Sequence, residues 1–319
     1  MSRKITVGAA QLGPIARNEG RRAVVARLVE LMREARGRGC DVVAFPELAL
    51  TTFFPRWFFE SEAEVNSWFE SQMPGPETQP LFDEAKRLGI GFYLGYAEIS
   101  EEADGIHRYN TSILVNKAGA IVGKYRKIHL PGHREHEPWR AFQHLEKRYF
   151  ETGNLGFRGF RTTLGEHEGI FGMALCNDRR WPETYRVLGL QGTEMTFIGY
   201  NTPMHYPQVP QHDHLQGFHN HLSLQSGAYQ NGMWVVGIAK AGKEENCDLL
   251  GQSCIIAPTG EIVAMCSTTG DELATAACDL DRCHELKDNV FNFALHREPE
   301  MYRLIVETKG SIEPLGYPA

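Results

Sequence analysis

The stretch Gly169-Ile-Phe-Gly-Met-Ala-Leu-Cys-Asn-Asp-Arg-Arg-Trp-Pro-Glu183 decides how the rest of the chain is read. Its first seven residues form a short apolar run, the pattern of a buried strand. The run stops at Cys176, and four polar residues follow. Pro182 then stands where a helix can begin, since its fixed φ suits a first helical turn and its missing N–H is no loss there. A strand, an abrupt turn and a helix predict a layered α/β chain. In such chains reactive groups gather beyond the carboxyl ends of strands. By analogy with the nucleophile elbows of hydrolases, a cysteine on this turn is a candidate nucleophile.

The same grammar extends outward in both directions. Toward the N-terminus, strands are expected at Lys4–Gln11, Asp41–Pro46, 90–99, 111–116 and 120–125. Val24, Val25, Leu28, Leu31, Met32 and Ala35 recur at helical spacing, which predicts a helix over 20–36 ended by Gly37 and Gly39. A second helix is expected over 77–88. After Cys176 the pattern predicts helices at 182–190 and 214–231. It predicts strands at 194–200, 233–240, 252–257, 261–266 and 274–280. The segment 128–158 reads as a long loop, and loops of that length in compact domains are usually functional or covered by a partner. Beyond about 290 the chain reads as irregular. Strands outnumber helices, and hairpin-like turns such as Pro258-Thr-Gly260 accompany strand–helix alternation. A sandwich of sheets faced by helices fits this better than a purely parallel sheet.

Composition narrows the function classes. Among 319 residues, 33 Lys+Arg against 40 Asp+Glu leave a net charge of −7, so no basic excess exists to neutralise nucleic-acid phosphates. Hydrophobic residues at 42% and charged residues at 23% describe a folded chain rather than a disordered one. No apolar run approaches the ~18 residues a membrane span needs. The N-terminus reads as a first strand and not as a signal peptide. The seven cysteines are odd in number, scattered and free of any C-x-x-C spacing, which argues against a disulfide framework or a cysteine-rich zinc site. A reducing cytoplasm is the expected setting. No linker, repeat or low-complexity tract divides the chain.

Three reactive side chains stand where short apolar strands stop: Glu47 after Val-Val-Ala-Phe-Pro, Lys127 after Ile-Val-Gly-Lys-Tyr-Arg, and Cys176. Their chemistry is complementary. A free thiol with a pKa near 8.5 is only about 3% thiolate at pH 7. A carboxylate can take its proton and later return it to a leaving amine. A lysine, with the backbone N–H of Asn177, can hold the oxyanion of a tetrahedral intermediate, where one donor is worth roughly 3–4 kcal/mol.

Phe45-Pro-Glu47, Gly123-Lys-Tyr-Arg-Lys-Ile-His129 and Cys176-Asn-Asp-Arg-Arg-Trp-Pro-Glu183 resemble the three signature segments of the nitrilase superfamily of carbon–nitrogen hydrolases. Their order and spacing fit as well. The resemblance covers roughly residues 4–305. It implies a four-layer α-β-β-α sandwich, a Glu-Lys-Cys triad, no cofactor, and a homodimer or homotetramer in which sandwiches pack together. Residues 1–305 are then one hydrolase domain and 306–319 a C-terminal tail. Five further segments are similar to N-carbamoyl-D-amino acid amidohydrolases: Phe45–Trp57, Leu130–His133, Gln143–Phe150, Gly199–Pro203 and Pro210–His214.

This second resemblance implies a small-molecule substrate, an N-carbamoyl amino acid. It assigns Glu47 as general base, Lys127 as oxyanion stabiliser and Cys176 as nucleophile. Glu146 matches a second glutamate beside the triad. Arg179 or Arg180 matches a clamp for the substrate carboxylate, a task suited to a planar guanidinium. His144, Asn177, Asn201 and Thr202 match pocket positions, and His129 supports the Lys127 loop. The aromatic run Phe53–Phe59 reads equally as core or as a pocket wall for bulky side chains.

Zinc amidohydrolases use histidine ligands, so His205, His212, His214, His219 and His221 are the candidates for a metal site. The i, i+2 pairs among them do not share a helix face, and no His-Glu-x-x-His occurs. The expectation is no metal, with this run starting a helix near the pocket.

Overall fold

The computed structural model describes residues 2–140 and 142–314. In chain order the elements are β1 (Lys4–Gln11), α1 (Arg21–Gly37), β2 (Val42–Ala44), α2 (Glu62–Asn66), α3 (Gln79–Leu88), β3 (Gly91–Glu102), β4 (Gly105–Val115), β5 (Ile121–Arg126), α4 (Glu146–Tyr149), β6 (Gly159–Leu164) and β7 (His167–Leu175). The second half adds α5 (Pro182–Leu190), β8 (Met195–Tyr200), α6 (Gln216–Asn231), β9 (Trp234–Ala239), β10 (Ala241–Glu244), β11 (Cys247–Leu250), β12 (Cys254–Ile256), β13 (Ile262–Met265) and β14 (Glu272–Asp279). Short helices α7 (Cys283–Lys287), α8 (Phe293–His296) and α9 (Arg303–Glu307) close it. The expected boundary between 305 and 306 falls inside α9, and residues 315–319 of the expected tail lie outside the described residues.

Two six-stranded sheets carry the architecture, ordered β14-β1-β2-β3-β4-β5 and β13-β12-β9-β8-β7-β6. Each has a parallel centre, β1-β2-β3 and β7-β8-β9, with antiparallel strands at its edges. Alternation along the strands sorts side chains into layers. Val42 and Ala44 face Met173, Leu175 and Phe197 between the sheets. Val43 points outward to join Leu28, Met32 and Leu81 under α1 and α3. Ala174 and Ile198 point the other way, toward Tyr185, Leu188 and Leu224 of α5 and α6. The fold is therefore the α-β-β-α sandwich expected.

The departures from the sequence reading are local. The strands expected at 90–99 and 111–116 are longer, and form one hairpin whose polar outer half extends beyond the core. The α4 turn lies inside what reads as one loop over 128–158, and strand β6 begins directly after it. The hairpin β10–β11 has no counterpart in the reading, because Lys243-Glu-Glu-Asn246 looks like a loop. The helix expected from 214 begins as α6 at Gln216, after a 3-10 turn over Pro210–Leu215.

One close approach locates the site. The Pro46–Glu47 segment leaves β2 and threads between the two sheets, against Gly95 of β3 and Gly199 of β8. A Cβ on Gly95 would lie 2.7 Å from Glu47 Cα, and one on Gly199 would lie 2.5 Å from Glu47 N. Tyr93 bridges the sheets there, donating to Ala174 O at 3.1 Å and accepting from Gly199 N at 3.1 Å. Gly199→Ala is expected to lower stability by about 1–3 kcal/mol through overpacking against backbone that cannot yield. Urea denaturation of the variant beside the parent measures this.

Candidate active site

Glu47, Lys127 and Cys176 follow β2, β5 and β7, and the sheet order brings these strand ends together. Lys127 Nζ lies 2.7 Å from Glu47 Oε1 and 2.6 Å from Glu146 Oε2, with all three side chains wholly buried. Lys127 N donates to Asn110 O at 2.8 Å. Glu47 also accepts from Asn110 Nδ2 at 2.8 Å and from Asn201 N at 3.0 Å. Asn201 Nδ2 returns to Glu47 O at 2.9 Å. His144 Nε2 stands 2.9 Å from Glu146 Oε1, and its ring meets Phe53 edge-on. A continuous polar chain thus runs His144–Glu146–Lys127–Glu47.

Two carboxylates share one ammonium. Burial alone would discharge Lys127, but Glu146 and Glu47 outweigh it and hold the amine above its ordinary range. Burial raises Glu47 despite the pull of Lys127, and the Glu146 charge adds to the rise. For Glu146, Lys127 and His144 overcome burial and hold the carboxyl below its ordinary value. The environment therefore divides the two acids: Glu146 stays ionised and Glu47 is the one poised to take a proton. Burial, then the Glu47 charge, push the Cys176 thiol up to about 11. Such a thiol is protonated near neutrality and needs a base to become a nucleophile.

Cys176 occupies a strained turn, with φ +46°, and Leu48 beside Glu47 has φ +45°. Non-glycine residues held there cost of order 1–3 kcal/mol and persist only where their surroundings enforce them. Asp178 does the enforcing at the elbow. It accepts from Leu175 N at 3.0 Å and Tyr125 Oη at 2.7 Å. It also binds His129 N at 2.9 Å and lies 2.8 Å from His129 Nδ1. The His129 ring stacks on Trp181, with centroids 5.1 Å apart, and Asn177 Nδ2 donates to His129 O at 3.1 Å. His129 therefore ties the Lys127 loop to the elbow. The Cys176 Sγ lies 3.9 Å from Asn201 O and 3.8 Å from Arg179 Nη1.

The two arginines part company. Arg179 is buried and donates to Asn220 Oδ1 at 2.8 Å, Cys176 O at 2.6 Å and Thr202 Oγ1 at 2.8 Å, with its guanidinium 4.5 Å from the Tyr200 ring centre. It underpins the elbow, and Thr202 is its partner there. Arg180 is exposed and lines a separate cavity of about 350 Å³ with Tyr206, His212 and His219. Among the other histidines, His205 pairs with Asp213 at 2.7 Å, and the His212 and His219 rings meet edge-on. Among the described residues, the group of carboxylates and histidine packed closely enough to hold an ion is elsewhere, Glu102, Asp104 and His107 at the tip of the β3–β4 hairpin. Sequence reasoning missed Asn110, the hub role of Asp178, and Asn220. For Asn110 a signal existed: Asn110-Thr-Ser112 is a buried polar run leading directly into the apolar Ile113-Leu-Val115.

A cavity of about 730 Å³ opens beside this cluster, lined in part by Phe53, His144 and Asn201. Removing the central cation tests the electrostatics. Lys127→Met leaves Glu47 and Glu146 buried together, and is expected to cost about 3–5 kcal/mol at neutral pH. Both carboxyls then titrate above their unfolded value, so the variant is least penalised below that value and loses stability as pH rises. Denaturant midpoints at pH 5 and pH 8 measure the loss, expected to be larger than in the parent, where Glu47 is raised but Glu146 is lowered.

Residues 6–288 match the carbon–nitrogen hydrolase family. A nitrilase of Pyrococcus abyssi is 30% identical over 276 residues, 86% of this chain and 91% of that protein. An N-carbamoylputrescine amidase of Solanum lycopersicum is 28% identical over 301 residues, 90% of this chain and 91% of that one. The crystal structure of a carbon–nitrogen hydrolase from Helicobacter pylori superposes with a TM-score of 0.80 at 21% identity, covering 95% of this chain and 98% of that one. With its sandwich shared and nearly its whole length matched, the chain belongs to the carbon–nitrogen hydrolase family and is an enzyme acting on amide carbon–nitrogen bonds.

Proposed function

We propose that the enzyme hydrolyses N-carbamoyl-D-amino acids to the D-amino acid, ammonia and carbon dioxide. One observation carries the reading. The five segments similar to N-carbamoyl-D-amino acid amidohydrolases lie apart in sequence, yet each contributes to the wall of the same cavity, through Phe53, Gly132, His144, Asn201 and Asp213. In this reading Cys176 attacks the ureido carbon while Glu47 takes the thiol proton. Lys127, fixed as a cation, and the Asn177 N–H hold the oxyanion. The intermediate collapses as Glu47 returns its proton to the departing nitrogen. Water then cleaves the thioester-type acyl-enzyme, again with Glu47 as base and Glu146 holding Lys127 in place. His144 and Asn201 contact substrate from the cavity wall. Arg179 is engaged beneath the elbow, so the carboxylate clamp falls to the exposed guanidinium of Arg180, whose cavity meets the larger one at Tyr206. A reducing cytoplasm suits a nucleophile of this kind and the seven unpaired cysteines. No helix among the described residues is long and apolar enough to cross a membrane.

The reading extends to assembly. Helix α6 contains no Asp, Glu, Lys or Arg in sixteen residues, and Phe218, Leu222 and Tyr229 on it are exposed, as are Val187 and Leu190 of α5. An outer helix of a monomer ordinarily carries charge on its solvent face. A second copy of this chain is the proposed cover.

Amino-acid release from paired D and L N-carbamoyl-phenylalanine, with N-carbamoylputrescine as competitor, tests the substrate. Release from the D form only, abolished in Cys176→Ala, is expected. Turnover of N-carbamoylputrescine without amino-acid release refutes the carboxylate reading. Light scattering tests the assembly: the parent should give a multiple of 36.0 kDa, and Phe218→Glu with Leu222→Glu should give the monomer.

A further inference from the structure

We propose that Asn110 is a positioning residue for this reaction: its carboxamide selects which oxygen of Glu47 receives the thiol proton, and its backbone carbonyl sets Lys127. The inference rests on the Glu47–Lys127–Cys176 reading and adds a residue to it. Asn110 lies in β4 opposite Ala97 of β3 and is wholly buried. Its Nδ2 donates to Glu47 Oε1 at 2.8 Å, the same oxygen that Lys127 Nζ holds at 2.7 Å. Two donors use the acceptor capacity of Oε1. Oε2 receives Asn201 N at 3.0 Å and, among the described residues, nothing more. Its remaining lone pair is the vacant acceptor of the carboxylate. Asn201, the partner of Oε2, also reaches the thiol through its carbonyl, at 3.9 Å from Sγ, so one residue joins Oε2 to Cys176.

In the transfer the S–H bond breaks and an O–H bond forms at Oε2. The electron pair stays on sulfur and closes the bond to the substrate carbon. Asn110 and Lys127 together keep Oε1 from competing for that proton.

A second observation concerns the other end of the same amide. Asn110 Oδ1 is buried and has no partner among the described residues. A buried unpaired carbonyl carries an uncompensated desolvation penalty. A side chain serving only to fill this place in the sheet would carry no such cost. The donor toward Glu47 is what an asparagine supplies and an apolar residue does not.

The groups facing Glu47 are Lys127 from the end of β5, Glu146 of α4, Cys176 at the elbow, Tyr93 of β3 and Lys240 at the end of β9. Against that background the Asn110 donor favours the ionised carboxylate. Losing it raises the pH at which Glu47 becomes a base. Asn110→Asp keeps the shape and the backbone carbonyl but replaces the donor by an acceptor. Asn110→Ser, whose hydroxyl stops short of Glu47, is the second variant.

The readout is the rate of Cys176 alkylation by iodoacetamide against pH, assigned by peptide mass mapping, which requires no knowledge of the substrate. The expected result is an acid limb moved up by about one pH unit, about tenfold slower alkylation below it. On a hydrolysed amide, kcat is expected to fall while KM stays within about twofold. An acid limb that stays put in both variants overturns the proposal. The triad reading fails by a different result, turnover that survives in Cys176→Ala or alkylation that is unchanged at every pH in Glu47→Gln.

Discussion

A lysine buried between two carboxylates is the interaction on which the rest of this structure depends. Taking an ammonium and two carboxylates out of water costs several kcal/mol per ion, and mutual attraction repays it only with excellent geometry and satisfied remaining valences. Glu47, Lys127 and Glu146 have that geometry, with both lysine contacts at 2.7 Å or less. The cluster keeps one negative charge in excess. That excess is what makes one of the two acids ready for a proton, and His144, which helps hold Glu146 ionised, leaves Glu47 for it. The low dielectric that makes the cluster expensive also raises the thiol, so the nucleophile and its base are tuned by the same burial.

The sandwich supplies this geometry by where its strands end. The parallel centres of both sheets end toward one edge, so β2, β7 and β8 deliver Glu47, Cys176 and Asn201 to neighbouring places. Glycine at 95 and 199 lets the Glu47 backbone lie between sheets that otherwise pack side chain to side chain. Asp178 then converts two separate loops into one unit, holding the elbow with one hand and the Lys127 loop, through His129, with the other. Without that link the Lys127 and Cys176 loops would answer to different sheets.

The sequence was legible where burial imposes a period or a residue type. Val42–Ala44 and Met195–Tyr200 are short apolar runs because both faces are covered, and α1 repeats its apolar positions because one face is. The reactive trio was legible because a carboxylate, an amine and a thiol at strand ends suit one reaction. Glu146 was legible only through resemblance, since Glu-Lys-Arg in a four-residue helix looks like a solvated surface turn. Arg179 and Arg180 read alike in the sequence, and only their partners in the fold tell them apart. A guanidinium next to a reactive cysteine suggests a substrate clamp, yet backbone carbonyls and amides beneath the elbow use the Arg179 donors first. Asn110 and Asp178 act through hydrogen bonds to partners 63 and 49 residues away, and no local pattern encodes such pairings.

A second buried lysine shows that charge balance, not burial, sets the state of the first. Lys240 is as inaccessible as Lys127 and also meets a carboxylate, Glu244 Oε2 at 3.2 Å, along with Thr51 O. Glu244, however, is shared with Arg56 Nη1 at 3.0 Å and with the backbone N–H groups of Phe53 and Ile15. Burial then wins, and the Lys240 amine is pushed down to about 8, with Arg56 nearby opposing its charge. The two lysines differ in the number of carboxylates left for each. Lys127 has two and is held as a cation, which suits an oxyanion stabiliser and excludes it as a base near neutrality. Lys240 and Arg56 divide one, which suits a brace behind Phe53 and Arg56, side chains that line the large cavity. One fold thus uses the same pair of residue types for two tasks, and the local count of opposite charges separates them.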